Sequence, residues 1–540
     1  MKQRRSSWVL GIVALLLTVP ATLAIARADD GLARGHDVVD GVPVTTLVAD
    51  TGVRSPVVVV AHGFAGSAQL MDGIGIGLAR AGYATVLLDF TGHGTNGARL
   101  PLDGSSPTTD VLDADLGAVV AWARQQPWAD PARVGLVGHS MGAGTVVRYA
   151  VADAQGPKLV TATVALSLPD ADPVPAGEAA VPRDLLLLVG ANEQSRFTDA
   201  AVQALTAAYP GGQLGQAFGS SVDGSARAAY AVPRADHITI LFSTQALQQT
   251  VDWLDSSVGA PSAGHTVGGG TLGWLLVLTV GAAIGFVPLA RLAYAGRPEP
   301  ERVSPAAAAS GSAAADVPAG PRRTRALVVV AVAVVASVLA SLAARALAPV
   351  ADVVPLAVGG YVVVWFAVAG AASFLLAALL RRRTPRVPPT VNLNDPPARF
   401  PWRDLWATLA LTSYAVVALG LVAQQTWTAF AFAGDRARWL LVVELAFIVW
   451  FWADDRLVGE RWWLGIVTRV VAVGVLLASV VVLGAPGFLT LLVPLVAVVL
   501  LLLLVYGQTV TRRAQLPWAA ALVQAIPLAY LVTTTFPLVS

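Results

Sequence analysis

Along the first half of the chain, apolar positions come in short runs rich in β-branched residues, separated by longer amphipathic stretches. The runs PVVVVAHG, YATVLLDF, RVGLVGHS, TATVALSL and DLLLLVG are each apolar enough for a strand buried on both faces. Between them lie segments such as DVLDADLGAVVAWARQQP, whose apolar positions recur at helical spacing. Strands alternating with helices in this way predict a doubly wound, mostly parallel α/β sheet over residues 30–257.

Near residue 260 the pattern changes. SSVGAPSAGHTVGGG has the composition of a flexible linker, placed at 258–270. Beyond it the apolar positions merge into runs of about twenty residues, the length of a bilayer-crossing helix. The predicted spans are 271–291, 326–348, 353–380, 405–432, 439–452, 462–483, 487–506 and 516–538, so residues 271–540 are expected to form an all-α transmembrane bundle of about eight helices. GAPG at Gly484–Gly487 splits a run otherwise too long for one helix. The alanine-rich, low-complexity stretch 295–324 predicts a disordered cytoplasmic loop.

The first residues, MKQRRSSWVLGIVALLLTVPATLAIARADD, pair a basic start with an apolar run. Residues 1–28 are therefore either a cleaved signal peptide or an uncleaved signal anchor, and the domain after residue 28 is expected to be exported. Arginine placement agrees. The segments 295–324, 381–403, 454–461 and 511–515 hold most of the second half's arginines, while the opposite side has little beyond Arg345, Arg436 and Arg438. By the positive-inside rule this predicts a multi-pass protein of the cell membrane with residues 30–257 outside the cytoplasm.

Composition narrows the function. Of 540 residues, 55% are hydrophobic and only 13% charged, where soluble domains carry about 25%. Lipid is thus an expected partner. There is no cysteine, which excludes disulfides, thiolate metal sites and cysteine nucleophiles. The net charge is +2 and no folded region presents a basic face, so nucleic acid is not an expected partner. Nothing in the sequence calls for a metal or a cofactor.

One short segment carries chemistry. Gly138-His139-Ser140-Met141-Gly142 follows the run RVGLVG and opens the predicted helix MGAGTVVRYAVADA. A serine on a tight strand-to-helix turn needs glycine at both flanks, because side chains there would collide with neighbouring elements. The helix start also places backbone N–H groups where an oxyanion would develop. The alternative is an ordinary glycine-rich turn.

In this context the chain resembles the α/β-hydrolase superfamily over about residues 36–257. AHGFAG (Ala61–Gly66) is similar to the loop after the family's third strand, and DFTGHGTN (Asp89–Asn96) to the turn after the fourth. The resemblance implies Ser140 as nucleophile, with the N–H groups of Phe64 and Met141 forming the oxyanion hole. His62, Gly63, His93, Gly138 and Gly142 shape the pocket, and His139 belongs to the turn rather than serving as base. The family order of serine, acid, histidine puts Glu193, in Gly190-Ala191-Asn192-Glu193, at the acid position, with Asp170 and Asp172 as alternatives. His237 is the one histidine between those acids and the linker, hence the expected base. Only about fifteen residues separate TATVALSL from DLLLLVG, too few for a helical lid. That arrangement resembles the dienelactone-hydrolase-like and serine-peptidase-like branches, and the substrate implied is an acyl ester or amide, lipid or envelope-derived compounds included.

Within the predicted bundle, Glu444 and Arg469 are ionisable groups at membrane depth. Helix–helix pairing accounts for them, and a transport role is the alternative. Two functions therefore compete: a membrane-anchored serine hydrolase, and a transporter or signalling protein whose hydrolase-like domain only binds a ligand.

Overall fold

The computed structural model describes residues 2–50, 52–102, 107–259, 271–295, 297, 322–382 and 402–540. Most of the predicted linker at 258–270 and of the predicted loop at 295–324 lies outside the described residues. The chain divides into two compact units. One comprises Pro20–Leu276, Val422–Arg436 and Thr534–Ser540; the other comprises Met1–Val19, Val277–Leu421 and Ala437–Thr533.

The first unit is built on nine strands: β1 (Leu32–Val39), β2 (Val42–Ala49), β3 (Ser55–Ala61), β4 (Ala84–Leu88), β5 (Ala129–His139), β6 (Val160–Leu166), β7 (Leu185–Gly190), β8 (Ala217–Phe218) and β9 (Arg227–Val232). Their order across the sheet is β1-β2-β4-β3-β5-β6-β7-β9-β8. Pairing is parallel from β4 through β3, β5, β6 and β7 to β9, and antiparallel at both edges. Every residue of β3, β4 and β7 is buried, as expected of central parallel strands covered on both faces. The β1–β2 hairpin is absent from the sequence reading. Its turn, Asp40-Gly41, has φ of 49° and 87°, the two positive values that a two-residue turn of right-handed twist requires.

Helix α1 (Lys2–Ala26) precedes the strands, its residues up to Val19 belonging to the other unit, and α2 (Asp72–Arg80), α3 (Pro107–Ala123), α4 (Met141–Gln155), α5 (Ser195–Ala208) and α6 (Thr244–Val258) alternate with them. Alternation along β3 assigns its two faces. Val57, Val59 and Ala61 join Leu116 and Val120 of α3 and Val146 and Ala150 of α4 in one buried cluster. Val58 points the other way, where Leu254 of α6 approaches Gly135 of β5. The short α2, with glycine at every second position from Gly73 to Gly77, lets Leu87 and Leu247 come close to its backbone.

The second unit is helical: α7 (Thr271–Ala293, entering at Val277), α8 (Arg322–Ala346), α9 (Ala348–Ala351), α10 (Gly359–Arg382), α11 (Trp402–Thr426), α12 (Arg436–Val458), α13 (Trp462–Leu483), α14 (Leu489–Ala514) and α15 (Pro517–Thr535). Among the described residues, eight helices are long and apolar enough to cross a membrane, the number and kind that a multi-pass membrane protein carries. The eight differ from the predicted set in one member. Residues 7–26 of α1 qualify, whereas α12, predicted as the span 439–452, is a 23-residue helix that carries Glu444, Asp454 and Asp455 and does not. Gly484 ends α13 in a left-handed conformation, which is where the sequence pattern divides that run. The predicted span 405–432 stops at Thr426, so 427–435 is not helical. Arg469 does not pair with Glu444. Its guanidinium donates to Asp454 at 2.7 Å and to the Gln524 side-chain Oε1 at 2.6 Å, and the Gln524 amide donates to Asp455 at 2.9 Å.

Candidate active site

The carboxyl ends of β5, β7 and β9 present the groups that matter. Ser140 follows β5 and caps α4 with φ 52° and ψ −117°, a backbone conformation that a non-glycine residue adopts only when its surroundings impose it. Those surroundings are the flanking glycines. A Cβ on Gly138 would stand 2.3 Å from the Gly142 carbonyl oxygen, and one on Gly142 would stand 2.5 Å from the carbonyl oxygens of both Ala61 and His62. Real Cβ atoms do not approach so closely, so the turn exists only with glycine at both places.

His237 lies in the loop after β9. Its Nε2 is 3.0 Å from the Ser140 hydroxyl, and its Nδ1 faces the Glu193 Oε1. Glu193 sits on the turn after β7 with its side chain fully covered. Its other oxygen accepts from the Gly190 N–H at 2.8 Å and the Ser167 hydroxyl at 3.0 Å. Asp170 and Asp172 are exposed, and the Asp170 carboxylate caps the Asp172 N–H at 2.9 Å. The acid turn and the histidine loop are tied directly, the Asn192 N–H donating to the Ala235 carbonyl at 2.9 Å.

The imidazole of His237 is held from several directions. The Phe197 ring lies 4.4 Å away, centroid to centroid, at 31°, and the His139 ring 4.8 Å away. His139 Nε2 donates to the His237 carbonyl at 2.8 Å, which makes it a strut for the loop. Burial, then the proximity of His237, holds the His139 imidazole well below the usual histidine range, so it is neutral.

The loop bearing Phe64 abuts the serine: a Cβ on Gly63 would lie 3.1 Å from the Ser140 Cβ. Hydrogen bonds define the His62 tautomer, with Nδ1 donating to the Gly63 carbonyl at 2.8 Å and Nε2 accepting from the Phe90 N–H at 3.1 Å. Burial lowers the pKa of His62, although the nearby Asp89 carboxylate opposes it. His93 donates through Nδ1 to the Thr91 carbonyl at 3.0 Å. Burial first, then the neighbouring His62, holds it well below the usual range. Both histidines thus brace loops. Met141 is the first residue of α4, where a helix N–H points outward.

The sequence reading does not contain several of these partners. Ser167, with φ 55°, follows the strand run TATVAL as a buried polar residue. Asp89 receives the Ala68 and Thr95 N–H groups and the Thr95 hydroxyl, at 2.8, 2.8 and 2.6 Å. Phe197 gives no signal beyond its helical spacing. Among the described residues no cluster of three or more histidines and carboxylates could hold a metal ion.

Residues 53–208, less than a third of the chain, match the family model of serine aminopeptidase S33. An uncharacterised 31.7 kDa protein of Escherichia coli, from the traX-finO intergenic region, is 30% identical over 145 residues, covering 26% of this chain and 48% of that protein. An uncharacterised protein of Mycobacterium tuberculosis is 30% identical over 142 residues, covering 25% and 48%. The chain therefore spans about half the length of the curated relatives it matches. Among solved structures, a dienelactone hydrolase from Anabaena variabilis superposes with a TM-score of 0.30 at 18% identity, covering 41% of this chain and 97% of that one. The strand order, the strained serine turn and the family-model match make the sheet-bearing part of the chain an α/β-hydrolase domain, joined in the same chain to apolar helices compatible with a membrane domain.

Proposed function

We propose that the protein is a membrane-anchored serine hydrolase that cleaves an acyl ester or amide, esters foremost, with its catalytic domain outside the cytoplasm. The observation that carries this reading is the continuous hydrogen-bonded line from the Ser140 hydroxyl through the His237 ring to a covered carboxylate. In the first half-reaction Ser140 Oγ bonds to the substrate carbonyl carbon and its proton passes to His237 Nε2. The carbonyl oxygen becomes an oxyanion held by the N–H groups of Phe64 and Met141. Collapse breaks the bond to the alcohol or amine, which leaves with the proton from His237. Water, deprotonated by the same nitrogen, then releases the acid and restores the serine. Glu193 keeps the Nδ1 proton in place and offsets the imidazolium charge. The Ser167 hydroxyl and Gly190 N–H hold that carboxylate turned toward the imidazole.

Lipids or envelope-derived esters are the substrate class we favour, since a chain with this many apolar helices resides in a bilayer. The test is labelling of the full-length protein in membranes with a fluorophosphonate. Labelling should be lost in Ser140→Ala and reduced by orders of magnitude in His237→Ala. An unlabelled, folded wild type would remove the hydrolase reading in favour of ligand binding alone.

A further inference from the structure

The unit that contains the sheet also contains two stretches from far along the chain, Val422–Arg436 and Thr534–Ser540. Both meet the chain between residues 89 and 100. Arg436 is completely buried, with no carboxylate hydrogen-bonded to its guanidinium. It donates instead to three carbonyls: Gly92 at 2.6 Å, Gly94 at 3.0 Å and Phe536 at 3.4 Å. The Leu538 N–H adds a bond to the Gly92 carbonyl at 2.8 Å, and Leu100 donates to the Leu538 carbonyl at 2.9 Å. The Asp89–Asn96 turn is thereby fixed by residues more than 300 positions away in sequence.

That turn in turn fixes the loop that carries Phe64. Phe90 donates to His62, His62 donates to the Gly63 carbonyl, and Asp89 receives the Ala68 N–H. The far end of the same loop has its own anchor, because the buried Ser67 hydroxyl donates to the Trp427 carbonyl at 2.8 Å. A buried arginine hydrogen-bonded to carbonyls alone, with the Asp89 and Asp435 carboxylates close enough to offset part of its charge, is costly to place, so a loose association of these segments would not keep it.

We propose that segment 427–436 positions the oxyanion loop, Arg436 through the Asp89–Asn96 turn and the Trp427 carbonyl through Ser67. Arg436 is on this view a positioning residue for the reaction put forward above, and the inference rests on that reading for its catalytic half. The catalytic centre is then completed by the stretch of chain between α11 and α12.

The test uses full-length protein in detergent, with p-nitrophenyl butyrate turnover counted per fluorophosphonate-titrated serine. Ser67→Ala removes one anchor without exposing a buried charge, and Arg436→Gln removes the other. Each is expected to lower kcat per titrated serine 5- to 50-fold with KM changed less than 2-fold. Hydrogen exchange at residues 63–68 should accelerate at least 10-fold while β3 stays protected. Asp252→Asn, on the exposed face of α6 where it accepts from Gln248 at 2.7 Å, should leave both readouts unchanged. Unchanged exchange in both anchor variants would overturn the proposal whatever the activity. Faster exchange with unaltered kcat would also overturn it, by showing that the anchored loop is not the one turnover depends on. A wild type without turnover would refute the hydrolase reading instead, and exchange would still decide whether the anchors hold the loop.

Discussion

A glutamate in place of an aspartate asks more of its surroundings, because one further rotatable bond must be held still. Glu193 meets that demand with the Ser167 hydroxyl and the Gly190 N–H on Oε2, leaving Oε1 for His237. Removing the hydroxyl in Ser167→Ala costs a hydrogen bond to a charged group, about 1.5–3 kcal/mol. Turnover per titrated serine should therefore fall roughly 10- to 100-fold, and Ser167→Thr should keep part of it. Glu193→Gln loses the charge as well and should fall further, on the order of 10⁴-fold by analogy with other triads. Ester hydrolysis kinetics on folded protein check both, and a Ser167→Ala enzyme as fast as wild type would sink the argument. Ser140, His237 and the turn glycines were legible because each sits in a recognisable local pattern. Ser167 was not, since a single serine after an apolar run carries no periodic signal, and its role depends on a turn 26 residues away.

At the scale of elements, the strand-to-helix turn is the least forgiving part of the chain. Gly142 and Gly144 stand close together at the start of α4 but differ in consequence. A methyl on Gly142 meets two carbonyl oxygens at 2.5 Å, backbone atoms that cannot move without parting β3 from β5. A methyl on Gly144 meets nothing nearer than the Arg148 Nη1 at 3.4 Å, the tip of a flexible side chain. Gly142→Ala should thus destabilise by about 3 kcal/mol or more and reduce the titratable serine fraction, as overpacking against fixed backbone does. Gly144→Ala should be neutral or gain up to about 1 kcal/mol from helix propensity. Thermal unfolding of the two variants side by side distinguishes them, and equal midpoints would show that the turn yields. The parallel strands were readable from their unbroken apolar runs. The β1–β2 hairpin was announced by an Asp-Gly pair, yet the apolar residues of β2 are interrupted by Thr45-Thr46 and mostly exposed β1 has no apolar run.

Over the whole molecule, the compact unit around the sheet is assembled from three separated stretches, and this was the least legible feature. Hydropathy alone merges 427–432 into a span, because Trp427, Ala429 and Phe430 look like its continuation. Arg436 stood out only as an arginine on the sparsely charged side. Its placement bears on how the unit responds to acid, since His93 beside the clamped turn and His139 beside the serine are both buried and held well below the usual histidine range. Above about pH 6.5 neither the folded nor the unfolded chain protonates them, and they contribute nothing to the pH dependence. Below it the unfolded chain takes up protons that the folded chain refuses, so stability falls as pH falls. At pH 5.5 each costs about 1.4 kcal/mol, together about 3. Asp184 acts in the opposite sense. Burial pushes its carboxyl up to about 6, and lowering the pH relieves that penalty. The relief between pH 7.5 and 5.5 is at most about 1 kcal/mol, and less where solvent screens the group, so the histidines prevail. The thermal midpoint of the sheet-bearing unit, followed by hydrogen exchange in β5, should drop by several degrees between pH 7.5 and 5.5. In His93→Gln the drop should be smaller, because glutamine can still donate to the Thr91 carbonyl but cannot be protonated on unfolding. A midpoint that is flat across this range, or a drop unaltered by the substitution, would mean that the histidines near the serine are reached by protons in the folded state.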